Sequence, residues 1–282
     1  MTETEWLAGA DPLPLVNEVA ERAGDRRLRL LAVACARRAW HLFEIGSYRE
    51  MIEMAERYCD DAVPSEVMGR TRIEARAAYD RAMETSGPVT ALRMLVPYET
   101  AEVAFVACAE PGTLSERIAT FAGRYRRGSY YVMRGVDAVA KAASYAAATD
   151  GERNPSASAQ SAEWAKQADL ARDIFGNSFR PVAIEPSWRT SSVVSLARQM
   201  YNSRDFTPMP ILSDALLDAG CDHPDVIAHC RSERPHVRGC WLVDLLLKTT
   251  YCREEPTDPT PMGPSRRPSD TWLLAKPPLL GP

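Results

Sequence analysis

Long apolar runs are missing from this 282-residue chain. Stretches such as Val103 to Ala109 and Leu242 to Leu247 fall far short of the roughly 20 residues that span a bilayer, so no membrane segment is expected. Met1 to Gly24 carries acidic Glu3 and Glu5 without an apolar core, and it reads as neither an export signal nor a transit peptide. A large charge of one sign is also missing. The formal net charge of −4 gives no global attraction to nucleic acid or anionic lipid. Gly-rich phosphate loops, HExxH and GxSxG do not occur, which removes the common nucleotide, zinc-protease and serine-hydrolase signatures. Strand-type alternation is almost absent.

Cysteine is sparse and odd in number, at seven. Cys35, Cys59 and Cys108 stand among apolar residues at helical spacing, which suits reduced core thiols rather than a disulfide framework. The expected setting is therefore a reducing one, the cytoplasm.

What the chain does have is a 3.6-residue apolar period through nearly every segment up to Phe175. Thr2 with Glu5 makes a capping box, and Asp11 before Pro12 starts a second helix expected to run to Gly24. Asp25 then opens a helix extending toward Gly46, with Leu28, Leu31, Ala32, Cys35, Ala39 and Leu42 as its apolar stripe. Further helices are expected over Tyr48 to Asp60, Ser65 to Thr85, Thr90 to Leu95, Tyr98 to Ala109, Leu114 to Ala122 and Val132 to Ala148. A loop over Asp150 to Ser158 precedes one more, from Ala159 to Phe175. Proline then becomes frequent and divides short helices at Thr190 to Tyr201, Ile211 to Ala219, Pro224 to Cys230 and Cys240 to Lys248. From Cys252 onward, prolines interrupt any periodicity and a flexible tail is expected. The reading is an all-α, multi-helix array: a helical domain over 1–175, an irregular short-helix subdomain over 176–251 packed on it, and a Pro-rich tail over 252–282.

Two blocks carry a family resemblance. TEWLAGADPLPLV, DRRLRLLAVACARRAWHLF and AERYCDDAV lie within Thr4 to Val63, and DIFGNSFRPVAIEPSW, LARQMYNSRDFTPMPILSDALLDAGC and AHCRSERPHVRGCWLVDLLLK lie within Asp173 to Lys248. In these the chain resembles a paralogue-rich group of bacterial helical proteins. The resemblance implies a shared helical fold and no activity. Between Ser65 and Thr149 the chain departs from the group's Ala-Trp-Asp-rich pattern, and its tail is its own.

The densest chemistry lies in CDHPDVIAHCRSERPHVRGC, Cys221 to Cys240, which holds three of the four histidines and three of the seven cysteines. Cys221, His223, His229, Cys230, His236 and Cys240 are candidate zinc ligands, because imidazole and thiolate are the usual donors. No CxxC knuckle is present, and His229 and Cys230, as helical neighbours, point about 100° apart. The favoured assignment is therefore buried thiols at Cys230 and Cys240, with the histidines capping helices or bonding carbonyls. A thiol nucleophile at Cys230 or Cys240, with His229 or His236 as base and Asp244 as orienter, is a weaker alternative. Arg124, Tyr125, Arg126, Arg127, Tyr130 and Tyr131 interleave charge and rings as nucleic-acid binders do, but in a chain of net negative charge the favoured reading is a solvated face with half-buried tyrosines. With no complete catalytic constellation and no required cofactor, the leading expectation is a non-catalytic module for protein binding or scaffolding. The zinc module or enzyme is the alternative.

Overall fold

Helices begin where side chains can satisfy the free amides of a first turn. The computed structural model describes residues 1–20, 22–42, 46–60, 63–85, 137, 139–141 and 157–248. Helix α1 (Glu3–Ala8) opens with the expected capping box: Thr2 Oγ1 accepts from Glu5 N–H at 3.2 Å, and Glu5 Oε2 accepts from Thr2 N–H at 2.7 Å. Asp11 caps α2 (Pro12–Val19) through Leu13 N–H at 2.9 Å. Helix α2 stops at Val19 rather than Gly24, because Arg22 and Ala23 N–H both turn to the Val19 carbonyl and Gly24 is already the N-cap of α3 (Asp25–Arg38). Helix α3 is shorter than expected as well. After it Ala39 N–H bonds Ala36 O, and a 3-10 turn follows at Trp40–Leu42. Arg37 and Arg49 both approach the Trp40 ring, at 4.9 and 5.6 Å from its centre, which holds the tightened turn.

Helices α4 (Gly46–Tyr58), α5 (Ser65–Thr85) and α6 (Ala157–Phe175) follow. After a 3-10 turn at Pro186–Trp188 come the short α7 (Ser191–Ser203), α8 (Met209–Asp218), α9 (Pro224–Cys230) and α10 (Trp241–Leu247). All the described elements are helical, and no strand occurs among the described residues. The helices expected over 90–122, the Arg124 to Tyr131 cluster and the tail from Cys252 lie outside them. No helix among the described residues is long and apolar enough to cross a membrane.

Met1–Cys252 form one compact unit that contains two apolar clusters. The first gathers Trp6, Leu15, Val16, Leu31, Cys35, Ile52, Ala171 and Ile174, where α6 packs on α2 and α3 and α4 covers α3. The second gathers Val193, Met200, Leu212, Val226, Cys230, Cys240, Leu242 and Leu246 from the short helices. Helices of two to four turns are marginal alone, so this half depends on tertiary contacts. A buried ionic knot supplies one. Arg26 of α3 donates to Asp244 of α10 at 2.5 Å, to Tyr201 Oη of α7 at 2.7 Å and to the Cys59 carbonyl at 3.0 Å. Arg238 pairs with Asp60 at 2.7 Å and lies over the Tyr201 ring. The two clusters thus meet along α3, α6 and α10, with the candidate site at the end of α6.

Candidate metal centre

Asp173 lies buried in the last turn of α6. An acidic side chain there opposes the helix macrodipole, so the position costs stability unless the carboxylate has another use. Gly176 ends the helix with φ +70°, and a Cβ on it would come within 3.1 Å of Trp241 Cγ. Across from α6, His223 Nδ1 accepts from Asp225 N–H and caps α9, placing His229 in its last turn. The chain then doubles back to Gly239. There φ is +97° and an added Cβ would lie 2.9 Å from Leu30 Cδ1, so only glycine lets the chain press this closely onto α3 and deliver Cys240 as the N-cap of α10.

The result is a cluster of Asp173, His229, His236 and Cys240, in which one ligand atom from each lies within 4.8 Å of the others. Asp173 Oδ1 is 2.7 Å from His236 Nδ1, and its Oδ2 accepts from Val237 N–H at 2.9 Å. His229 Nε2 is 3.1 Å from Cys240 Sγ and 3.5 Å from Asp173 Oδ1. Trp241 Nε1–H donates to His229 Nδ1 at 3.2 Å. The two imidazoles meet edge to face, their centres 4.7 Å apart. His236 Nε2 is buried and has no hydrogen-bond partner.

Burial sets the charges. It pushes His229 down to about 4, against the opposing pull of Asp173, so this ring is neutral near pH 7. Burial, reinforced by the Asp173 charge, holds the Cys240 thiol well above its ordinary range. A dication among these four groups would offset both penalties and favour the thiolate. The donor set suits zinc, which takes Cys sulfur, His nitrogen and carboxylate oxygen in a tetrahedron. Zinc bond lengths imply ligand-to-ligand edges of about 3.3–3.6 Å. The 2.7, 3.1 and 3.5 Å edges lie within an ångström of these values, and the widest separation, 4.8 Å, has to close by more than an ångström when an ion binds. If His236 binds instead through its partnerless Nε2, Asp173 becomes the carboxylate that orients the ring.

Three of the six sequence candidates, His229, His236 and Cys240, converge here with Asp173. His223 is a helix cap, while Cys221 and Cys230 pack in the second apolar cluster, where burial pushes the Cys230 thiol up to about 12. The geometry does not assemble the nucleophile alternative with His229 as its base. Asp244 is engaged by Arg26. His229 Nδ1 already accepts the indole proton, so Nε2 carries the ring's own proton and cannot take one from Cys240. Beside the cluster lies a cavity of about 260 Å³ whose lining includes Asp169, Arg172, His229, Arg234, His236 and Trp241. Comparison with known proteins adds no relative: no protein-family model, curated protein or solved structure gives a significant match.

Proposed function

We propose that this chain is a helical metal-binding module that holds one zinc ion through Asp173, His229, His236 and Cys240. The observation that carries the reading is the convergence of four zinc-type donors from α6, α9 and the segment leading into α10 on one buried point. An ion there joins the first apolar cluster to the second, in the half whose helices are too short to stand alone. All the described cysteines are free and buried, which fits a reducing, cytoplasmic setting. The helical array also suits the partner-binding role expected from the sequence, and the quartet gives the metal reading the more specific support.

The test is metal content and cobalt spectroscopy on the full chain after chelator treatment and reloading. About one equivalent of zinc is expected, and cobalt(II) should give tetrahedral bands with a thiolate charge-transfer feature. Asp173→Ala, His229→Ala, His236→Ala and Cys240→Ser should lose the ion, whereas His223→Ala and Cys230→Ser should keep it. Retention of zinc by folded Cys240→Ser and His229→Ala together would refute the assignment.

A further inference from the structure

We infer that Trp241 is a latch on this centre: its indole N–H holds His229 in the tautomer that cannot accept a metal, so metal uptake must break the Trp241–His229 hydrogen bond. The inference rests on the metal reading above and adds the residue that sets its affinity.

An indole nitrogen donates and has no lone pair to offer. Trp241 Nε1 lies 3.2 Å from His229 Nδ1, so Nδ1 is the acceptor and the single proton of the neutral ring sits on Nε2. Nε2 is the nitrogen that faces Cys240 Sγ at 3.1 Å and Asp173 Oδ1 at 3.5 Å. Without metal, His229 therefore turns an N–H toward the point of convergence, where an ion needs a lone pair. Relocating that proton to Nδ1 would set N–H against N–H across the Trp241 contact, and one of the two rings has to move. In net terms His229 keeps one proton, exchanged through solvent from Nε2 to Nδ1, and Cys240 releases one as it becomes a thiolate ligand.

Packing makes the latch stiff. Trp241 is buried, its ring centre is 4.8 Å from that of His229, and the indole also lies against Gly176, where even a Cβ would approach to 3.1 Å. The end of α6 thus supplies both a ligand, Asp173, and the seat of the latch, Gly176. The cavity of about 260 Å³ is lined by Trp241 and His229 alike, so the two N–H groups can be hydrated once they separate.

Zinc affinity, measured by competition with a chromophoric chelator, distinguishes the possibilities in the full chain, in Trp241→Phe and in Asp173→Ala, which checks that zinc goes to this centre. Phenylalanine keeps a ring against Gly176 and deletes the donor together with part of the indole. Trp241→Phe should bind zinc about three- to tenfold more tightly, the worth of one ordinary hydrogen bond, a gain that structural damage would not produce. Zinc uptake by Trp241→Phe alone, with none by the wild type, is the same result at its extreme. Equal or weaker binding by a folded Trp241→Phe overturns the latch and leaves the metal reading in place, whereas no zinc in any chain overturns the metal reading itself. Should Trp241→Phe fail to fold, the indole N–H resonance of Trp241 in the wild type decides. It should shift as zinc is added, and an unmoved resonance under saturating zinc overturns the latch.

Discussion

Around α3, α4 and α6 the buried carboxylates face guanidinium groups. Glu163 takes a two-point contact from Arg38 at 2.6 and 2.9 Å, and Glu56 gathers Arg37 at 2.5 Å and Arg204 at 2.6 Å. At the end of α6, Asp173 instead meets two imidazoles and a backbone amide. An arginine keeps its charge and has no lone pair, so a carboxylate paired with it is a finished lock. An imidazole can present a lone pair, so the same acid among histidines and a thiol remains open to a cation. Neighbouring helices of one unit thus set the same carboxylate chemistry in two different surroundings.

The largest effect should come from the knot that joins the two clusters. Arg26→Met leaves Asp244 buried without its main partner and should cost about 3–5 kcal/mol in urea denaturation, with both clusters lost in a single transition. Two separate transitions would mean that the halves are independent and the comparison is between two domains. Next in size is zinc itself. At about a hundredfold over its Kd the ion should add about 2.7 kcal/mol, read as a raised Tm in the wild type and in Cys35→Ser but not in Cys240→Ser. A loss in Cys35→Ser would undo the distinction that the metal reading draws between Cys35 and Cys240.

Glu56 sharpens the other side. Burial alone would raise its pKa, but the hydrogen bonds and charges of Arg204 and Arg37 outweigh it and hold the carboxyl below its usual range. A depressed carboxyl pKa contributes stability above the unfolded value of about 4.3, and that contribution is lost as pH falls through the lower folded value. The wild type should therefore lose stability on acidification through this window, while Glu56→Gln, already weaker by about 2 kcal/mol at neutral pH, should show a flatter profile. Urea midpoints across the acid range check it. The smallest change is His223→Ala, which removes the α9 cap for about 1 kcal/mol and should leave zinc affinity nearly unchanged.

Much of the helical frame was legible because periodicity and capping are local. Thr2 with Glu5, Asp11 with Pro12 and the stop at Gly176 each announce a helix boundary within a few residues. The Cys221 to Cys240 segment was legible as a concentration of donors, but not which of them converge. His229 and Cys230 are adjacent in sequence, and the turn of α9 sends one to the cluster and the other into the core. Asp173 escaped notice because it stands 63 residues before His236 and belongs to a helix that reads as complete without it. Its signal was an acid at a helix C-terminus, where the macrodipole makes it a poor choice on local grounds. Trp241 looked like one more apolar residue, because an indole donor has no meaning until its acceptor is known.

The close approach at Gly239 has a kinetic consequence. The segment carrying His236 and Cys240 closes against Leu30, more than two hundred residues earlier in the chain. Closing a loop of that span costs more entropy than closing a short one, so this contact is expected to form late in folding. In a small zinc finger the metal and the fold arrive together, but four donors brought together this late cannot guide the chain toward its structure. An ion bound there acts on the way out: contacts formed after the transition state leave the folding rate alone and slow unfolding, so zinc would lengthen the lifetime of the finished molecule rather than hasten its making.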